Sequence, residues 1–143
     1  MGLVYRNLAN MLKALGTISV LLMIIAADTL IVPVHAKKHV RVINGLGNDT
    51  FLYLHCRSRD DDLGLHVLQY NEYQEWSFNN NIRGSTLFWC SMQWNNQQHS
   101  IEVYSTKNDD EDCELKCWRV IEPDGAYFLM ETRQGQWDHR YRW

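Results

Sequence analysis

Four cysteines are the residues of this 143-residue chain whose chemistry is easiest to read. They are Cys56, Cys90, Cys113 and Cys117. An even number of cysteines in a small domain outside the cytosol favours two disulfides, although three pairings are possible. A bond from Cys113 to Cys117 is the least favoured, because closing so short a loop removes little entropy from the unfolded chain. We expect Cys56 to pair with Cys117, and Cys90 with Cys113.

The same cysteines offer an alternative as metal ligands, which we weigh against disulfides. The Cys113-x-x-x-Cys117 spacing suits one half of a zinc site. A second half is missing, because Cys56 and Cys90 are far apart in the sequence and neither has another cysteine nearby. An oxidising compartment also favours disulfides over thiolates. We therefore expect no metal, no other cofactor and no cysteine nucleophile.

Two histidines and an acidic run between them are the best candidates for acid–base chemistry. His55 and His66 flank Asp60, Asp61 and Asp62. A histidine and a carboxylate can act as general base and acid, which makes a secreted hydrolase conceivable. Histidines beside strand residues are more often hydrogen-bonded structural groups, and three consecutive acids lack the alternate spacing of a calcium loop. With no hydrolase, zincin or phosphate-loop motif in the chain, the sequence predicts a protein without catalytic activity.

The first 36 residues are predicted to be a secretory signal peptide. A basic, acid-free segment precedes an apolar run from Ala14 to Ala27, and Val34-His35-Ala36 resembles a cleavage site. A membrane anchor is the alternative, because the apolar segment is long enough to span a bilayer. Asp28 and Pro33 within that segment disfavour the anchor. Either topology places the following domain outside the cytosol.

Residues 37–143 form the predicted domain. Its 12 basic and 16 acidic side chains give a net charge of −4, which argues against nucleic acid or an anionic membrane as a partner. Contact with a membrane is expected only if the N-terminal segment stays uncleaved. We expect the domain to be a secreted, extracellular monomer.

Short strands separated by turn signals account for most of this domain, and no segment keeps a helical period over 11 residues. Eight strands are predicted, at residues 39–46, 50–58, 65–70, 73–78, 86–94, 101–104, 114–121 and 126–132. The first two are expected to form one hairpin, and the second and third a hairpin around the acidic run. This spacing predicts an all-β, antiparallel sandwich or barrel, and the tail from residue 134 stays unassigned.

The six tryptophans of the chain divide into a predicted core group and a candidate surface group. Three tryptophans at strand centres are expected in the core: Trp76, Trp89 and Trp118. Three others lie at a strand end or in the tail, where they would suit an alternative function as a lectin-like module that binds cell-wall glycan: Trp94, Trp137 and Trp143.

Asn48 begins the N-x-S/T sequon Asn48-Asp49-Thr50 in a predicted turn, so we expect a glycoprotein.

Several uncommon sequence words carry a family resemblance across nearly the whole domain. They are Leu54-His55-Cys56-Arg57-Ser58, Asp60-Asp61-Asp62-Leu63-Gly64-Leu65-His66-Val67-Leu68, Trp76-Ser77-Phe78, Thr86-Leu87-Phe88-Trp89-Cys90, Cys117-Trp118 and Asp124-Gly125-Ala126-Tyr127. With these words in this order, the chain resembles the plant self-incompatibility S-protein homologue family.

The resemblance implies a β-sandwich of eight antiparallel strands stapled by disulfides, in agreement with the strand pattern. It also implies a secreted, non-catalytic ligand that acts in cell–cell recognition, because family members from poppy are recognised by a membrane protein on pollen. The expected partner is a plant cell-surface receptor, and variable charged loops are the expected contacts. We assign the contact to residues of two such segments: Asp60, Asp61, Asp62, Asp109, Asp110 and Glu111.

Overall fold

The computed structural model describes residues 6–17 and 36–143. The chain divides into two compact units, Met1–His35 and Ala36–Trp143. In the first unit, residues 6–17 are helical (α1). Most of the predicted signal peptide, including residues 34 and 35 of its cleavage site, lies outside the described residues. Within the described ranges, no helix combines the length and the apolar character needed to cross a bilayer.

The second unit is a sandwich of two β-sheets. Its elements are β1 (Lys38–Asn44), β2 (Leu52–Arg57), β3 (Asp62–Leu68), β4 (Tyr73–Phe78), β5 (Leu87–Trp94), β6 (Gln97–Ser105), α2 (Thr106–Asp109), β7 (Lys116–Glu122), β8 (Gly125–Met130) and β9 (Gln136–Arg142). One sheet has the order β4-β1-β7-β8-β9 and the other β3-β2-β5-β6. The predicted all-β, disulfide-stapled sandwich is therefore confirmed, with a ninth strand in the tail that sequence patterning left unassigned.

The connection from β1 to β2 crosses between the sheets, so the predicted hairpin of the first two strands is wrong. β1 instead pairs antiparallel with β4 and parallel with β7. Asn44 explains the crossing, because its buried side-chain amide donates to the carbonyl oxygens of Thr50, at 2.8 Å, and Leu68, at 2.9 Å. Its Oδ1 accepts from the backbone N–H of Leu46 at 2.9 Å. These bonds hold the end of β1 against the other sheet. The predicted hairpin of β2 and β3 is present.

Alternating strand positions supply the core between the two sheets. β1 contributes Val40 and Val42, and β5 contributes Phe88, Cys90, Met92 and Trp94. The expectation for the tryptophans is therefore largely reversed. Trp94 is buried and Trp76 packs against the core, whereas Trp89 and Trp118 are only partly buried. Successive residues of a strand face opposite sides of the sheet. Trp89 is next to the inward-facing Cys90 and Trp118 is next to the inward-facing Arg119, so both tryptophans lie on outer faces.

Both disulfides join close neighbours, and the expected pairing of the cysteines is wrong. Cys56 pairs with Cys90, which lies directly opposite on the adjacent strand with Cα atoms 4.0 Å apart. Cys113 pairs with Cys117, with Cα atoms 5.2 Å apart. Loop-closure entropy is a property of the unfolded chain and does not decide which cysteines meet in the folded one. In the folded chain, the turn after α2 returns Cys113 to the start of β7, and strand register places the other two cysteines together.

Candidate functional site

The connections between strands are unequal at the two ends of the sandwich. One end, which we call the loop end, comprises residues 58–61, 79–86, 106–115 and 131–135 and includes the two longest connections. The other end, which we call the turn end, comprises residues 45–51, 69–72, 95–96 and 123–124 and includes the two shortest. The loop end carries four basic and eight acidic side chains. Both segments predicted to contact a partner lie there, so the fold places two regions that are distant in sequence at the same end of the sandwich.

The acidic turn between β2 and β3 is closed by its own backbone. The N–H of Ser58 donates to the carbonyl oxygen of Asp61 at 2.8 Å, and the Ser58 hydroxyl accepts from the N–H groups of Asp60 and Asp61. The only basic neighbour in the turn, Arg59, contacts Asp60 in a pair that is largely exposed. Asp60 and Asp61 therefore present their carboxylates to solvent, where a partner can reach them.

Asp62 starts β3 and is held differently from its two acidic neighbours. Its Oδ1 contacts Nε2 of His55 at 2.5 Å and accepts from the N–H of Gly64 at 2.9 Å. The bond with His55, followed by that with Gly64, holds the pKa of Asp62 below its usual range. His66 does not join this group, since its Nε2 contacts the carbonyl oxygen of Leu63 at 3.1 Å. The two histidines thus form no joint acid–base site.

A metal centre was not expected from the sequence. Among the residues that the structure describes, no group of three histidine, cysteine or acidic side chains is placed to hold a metal ion.

Asp109 is buried, so its assignment as a partner contact is wrong. Only 4% of its surface is exposed. One carboxylate oxygen accepts from the backbone N–H of Ser105 at 2.8 Å, and the other lies 3.4 Å from guanidinium nitrogens of Arg119 and Arg140. This carboxylate therefore anchors α2 to the sandwich and is not available to another molecule.

Arg119 is the buried ion-pair partner of Asp109, and it was not singled out from the sequence. Its side chain donates to the carbonyl oxygen of Val103 on the opposite sheet at 2.7 Å, and its guanidinium lies 4.0 Å from the ring centre of Phe128. Burial lowers the pKa of Arg119 to about 10, against the opposing effect of Asp109. The alternation of β7 indicated that this side chain is buried, because the inward-facing position between Cys117 and Ile121 is an arginine.

In residues 107–112, which we call the charged loop, the exposed acids are Asp110 and Glu111. Asp110 accepts from the side-chain amide of Asn80 at 2.7 Å and pairs with Lys38 at 3.0 Å. Burial alone would raise the pKa of Asp110, but the hydrogen bond and charge of Lys38 hold it below its usual range. Asn80, which the sequence analysis did not single out, also accepts from the hydroxyl of Tyr104 at 2.7 Å. This network ties the loop after β4 to the loop after β6.

A cleft of about 360 Å³ separates the acidic turn from the loop after β4. Ser58, Arg59, Asp60 and Asp61 line one side, and Phe78, Asn79, Asn81, Ser85, Thr86, Leu87, Phe88 and Trp89 complete it. The loop end therefore contains a cleft with a partly apolar lining and two carboxylates on one wall, held by hydrogen bonds to the disulfide-linked sandwich.

The three tryptophans considered for a sugar-binding surface do not form one. Trp94 is buried, and Trp143 is partly buried with its ring centre 4.4 Å from that of His99. Trp137 alone of the three is substantially exposed, at 45%. Since the chosen residues do not share a surface, the lectin-like alternative loses the feature on which it was based.

Asn48 lies in an exposed turn between β1 and β2. This connection belongs to the turn end, opposite the acidic turn and the charged loop. A glycan on Asn48 would therefore leave the loop end uncovered.

The fold and the arrangement of its loops define a class: a small, disulfide-stapled β-sandwich that presents braced charged loops at one end. The model of the plant self-incompatibility protein S1 family matches residues 39–143, and the chain belongs to that family.

Relatives from Arabidopsis thaliana support this assignment. S-protein homolog 2 is 38% identical over 113 residues, which cover 76% of this chain and 69% of the relative. S-protein homolog 5 is 40% identical over 74 residues, and that alignment spans only 57% of the relative's length.

A solved structure of SPH proteins (self-incompatibility protein homologues), described as a widespread family of small, highly stable, secreted plant proteins, shares the fold. It aligns with a TM-score of 0.58 and 20% identity, and covers 77% of this chain and 98% of the solved one.

Proposed function

We propose that this protein is a secreted, non-catalytic signalling ligand that a plant cell-surface receptor recognises through the loop end. The observation that carries the proposal is the convergence of the acidic turn and the charged loop at one end of a crosslinked sandwich. Loops held on a rigid scaffold are the usual location of recognition in β-sandwich proteins. The family assignment and the secreted character of the SPH proteins support the extracellular setting.

The contact residues that we retain are four of the exposed acids of the loop end: Asp60, Asp61, Asp110 and Glu111. Asp62 is a further candidate, because its carboxylate stays largely exposed despite its contact with His55. Since acids outnumber basic groups at this end, the receptor surface is expected to be basic. Complementary charge accelerates the encounter of two proteins and penalises incorrect partners.

Braced loops also suit recognition because little flexibility is lost on binding. The Cys113–Cys117 disulfide closes the charged loop, and Glu131 accepts from the N–H groups of Leu115 at 2.7 Å and Lys116 at 2.8 Å. A receptor that binds such a preformed surface does not need to order it, which favours affinity.

The test is saturable binding of fluorescently labelled protein to plant protoplasts. Asp60→Asn and Asp61→Asn together are expected to weaken binding about tenfold at low salt, and less at high salt, because they remove charge and keep the turn geometry. The matched control neutralises two acids of the turn end, Asp49→Asn with Glu72→Gln, and is expected to bind as wild type. Weakened binding in the control with unchanged binding in the acidic-turn variant would refute the proposal.

We further propose that the N-terminal 36 residues act as a cleaved signal peptide, that the domain is a monomer, and that Asn48 carries a glycan. Mass spectrometry of the secreted protein, before and after glycosidase treatment, reports the mature N-terminus and the occupancy of Asn48. A mature chain that begins near Lys37 and loses mass on deglycosylation is the expected result. A secreted chain that retains residues 1–36 contradicts the signal peptide.

A further inference from the structure

A second concave site lies on the outer face of the five-stranded sheet, away from the loop end. It is a cavity of about 340 Å³ whose lining comes from β7, β8, β9 and the turn between β7 and β8. Its lining residues are Val120, Glu122, Asp124, Tyr127 and Trp137. The site thus combines two aromatic rings and an aliphatic floor with two carboxylates, and the proposed function uses none of these residues.

One of the two aromatic rings of this cavity, that of Tyr127, is held in place by its neighbours. Tyr127 lies opposite Val120 on the adjacent strand, and its ring is stacked on that of His139 with centres 4.2 Å apart. The Tyr127 hydroxyl donates to a carboxylate oxygen of Asp124 at 2.9 Å, which fixes the polar end of the ring. Trp137 is 45% exposed, so a large aromatic surface remains open to a ligand.

The acidic part forms no ion pair with any described residue. No lysine, arginine or histidine nitrogen lies within the 4.0 Å ion-pair distance of Glu122 or Asp124. Arg142, on the nearby strand β9, donates instead to Nδ1 of His139 at 3.3 Å. Burial and then the charge of Asp124 raise the pKa of Glu122, as expected for a carboxylate without a cationic partner.

The Glu122 side chain occupies space that a glycine leaves free. A Cβ atom at Gly45 would overlap the Glu122 carboxylate and the Val120 side chain. The absence of a side chain at Gly45 therefore gives the carboxylate its place at the cavity.

We propose that this cavity binds a basic side chain, a lysine ammonium or an arginine guanidinium, of a protein partner. Faces of tryptophan and tyrosine attract cations, and the two carboxylates supply the opposite charge. A neutral sugar would stack on the same rings but would leave both carboxylates without a counter-charge. Charge complementarity therefore favours the cation. The site is separate from the loop end, so it stands or falls independently of the receptor surface proposed above.

The test uses the folded mature protein labelled with nitrogen-15 and a matched pair of probes. Nα-acetyl-arginine amide carries the cation, and Nα-acetyl-citrulline amide is its neutral isostere. The arginine probe is expected to shift the indole N–H resonance of Trp137 saturably, and the citrulline probe to bind at least tenfold more weakly. Equal binding of the two probes would overturn the proposal, as would shifts caused by cellohexaose but not by the arginine probe.

Two variants locate the binding and separate it from general electrostatic attraction. Glu122→Gln with Asp124→Asn is expected to weaken binding of the arginine probe about tenfold, while the hydrogen-bond acceptor for Tyr127 remains. The double variant Asp60→Asn with Asp61→Asn removes the same charge at the loop end and is expected to leave binding unchanged. Equal losses in both variants would show attraction to net charge and would refute a specific site. Unchanged nitrogen-15 spectra elsewhere in the domain confirm that each variant is folded.

Discussion

The loop end and the turn end of the sandwich are stabilised by different means. Long connections at the loop end are braced by tertiary interactions, namely the Cys113–Cys117 disulfide, the buried Asp109 carboxylate and the link between Asn80 and Asp110. At the turn end, Asn44 ties residues 45–51 and 69–72 to the end of β1 through hydrogen bonds with Thr50, Asn71 and Glu72, and local backbone conformation contributes as well. There, Asn71, Asn95 and Asn96 adopt left-handed φ angles of 67°, 41° and 62°, which asparagine tolerates better than most residues.

The difference shows where sequence can vary. A turn that depends on its own few residues changes shape when those residues change. A loop held by a disulfide and a buried ion pair keeps its path while its exposed side chains are replaced. The loop end is therefore suited to diversify for recognition, and the following predictions test this contrast between the two ends.

The largest effect is expected for Asp109→Asn at the loop end. The change leaves Arg119 buried without its carboxylate partner, and breaking such a pair costs about 3–5 kcal/mol of unfolding free energy. Urea unfolding followed by tryptophan fluorescence measures the loss. The adjacent variant Asp110→Asn is the control and is expected to lose less than about 1 kcal/mol, because Asp110 is exposed. Similar losses for the two variants would contradict the anchoring role of Asp109.

The two disulfides are expected to contribute unequally. Cys56 and Cys90 are 34 positions apart and Cys113 and Cys117 only 4, so loop entropy alone gives about 4 kcal/mol for the first bond and about 2 kcal/mol for the second. Double Cys→Ala variants, one for each bond, measure this in urea. The variant without the short bond is also expected to show faster amide hydrogen exchange in residues 106–115 than in the turn end. Uniform exchange would argue against local bracing.

Glycine replacements extend the comparison to the turn end. A Cβ atom at Gly125 would overlap the His139 ring and the carbonyl oxygen of Tyr141, so Gly125→Ala is expected to cost about 3 kcal/mol. Gly135 at the loop end has a φ of 72° and open space around it, so Gly135→Ala is expected to cost only the strain of about 1–2 kcal/mol. Thermal unfolding of both variants tests the order. A larger loss for Gly135→Ala would show that packing at Gly125 is loose.

The smallest effects concern two glutamates with opposite pKa shifts. At the loop end, burial would raise the pKa of Glu131, but the N–H groups of Lys116 and Leu115 bring it below its usual value. Its contribution to stability is therefore present above the unfolded-state pKa of about 4.3 and is lost as the pH falls through the folded-state pKa. At the turn end, burial and the charge of Asp124 raise the pKa of Glu122. Ionised Glu122 therefore destabilises the fold at neutral pH.

The matched variants Glu131→Gln and Glu122→Gln are thus expected to act in opposite directions at pH 7. The first lowers the free energy of unfolding and the second raises it, each by less than about 1 kcal/mol because both groups are partly solvated. At a pH of about 3, below the unfolded-state pKa of both carboxyls, the two differences are expected to shrink. Thermal melts at the two pH values provide the check. Differences of the same sign at pH 7 would contradict the assigned shifts.

Local patterns were sufficient to predict most strands of the sandwich. β4 has the predicted bounds, Tyr73–Phe78, and the apolar strand that contains Cys90 lies inside its sheet as expected. β9 was missed because Gln136–Arg142 contains only two apolar residues, Trp137 and Tyr141, and all of its residues are exposed or only partly buried. A strand of this composition forms because it can pair with the backbone of β8. Sequence periodicity does not show that such a pairing partner is available.

The candidate site was predictable only where it depends on exposed local residues. Asp60 and Asp61 are exposed turn residues, as their sequence indicated. Asp109 looks the same in sequence as Asp110, but its burial depends on Arg119, which comes from the next strand. Disulfide pairing likewise depends on which strands are neighbours, which is a property of the whole topology.

The parallel pairing of β1 with β7 also has a consequence for how the chain folds. β1 lies between β4 and β7, and Val40 lies beside Cys117 although most of the domain separates them in sequence. The first strand to be synthesised therefore completes its pairing only after β7 exists. Such a high contact order predicts slow folding, with the edges of β1 exposed to wrong partners in the meantime. An environment that protects the nascent chain until synthesis ends would thus benefit this protein more than one built from successive hairpins.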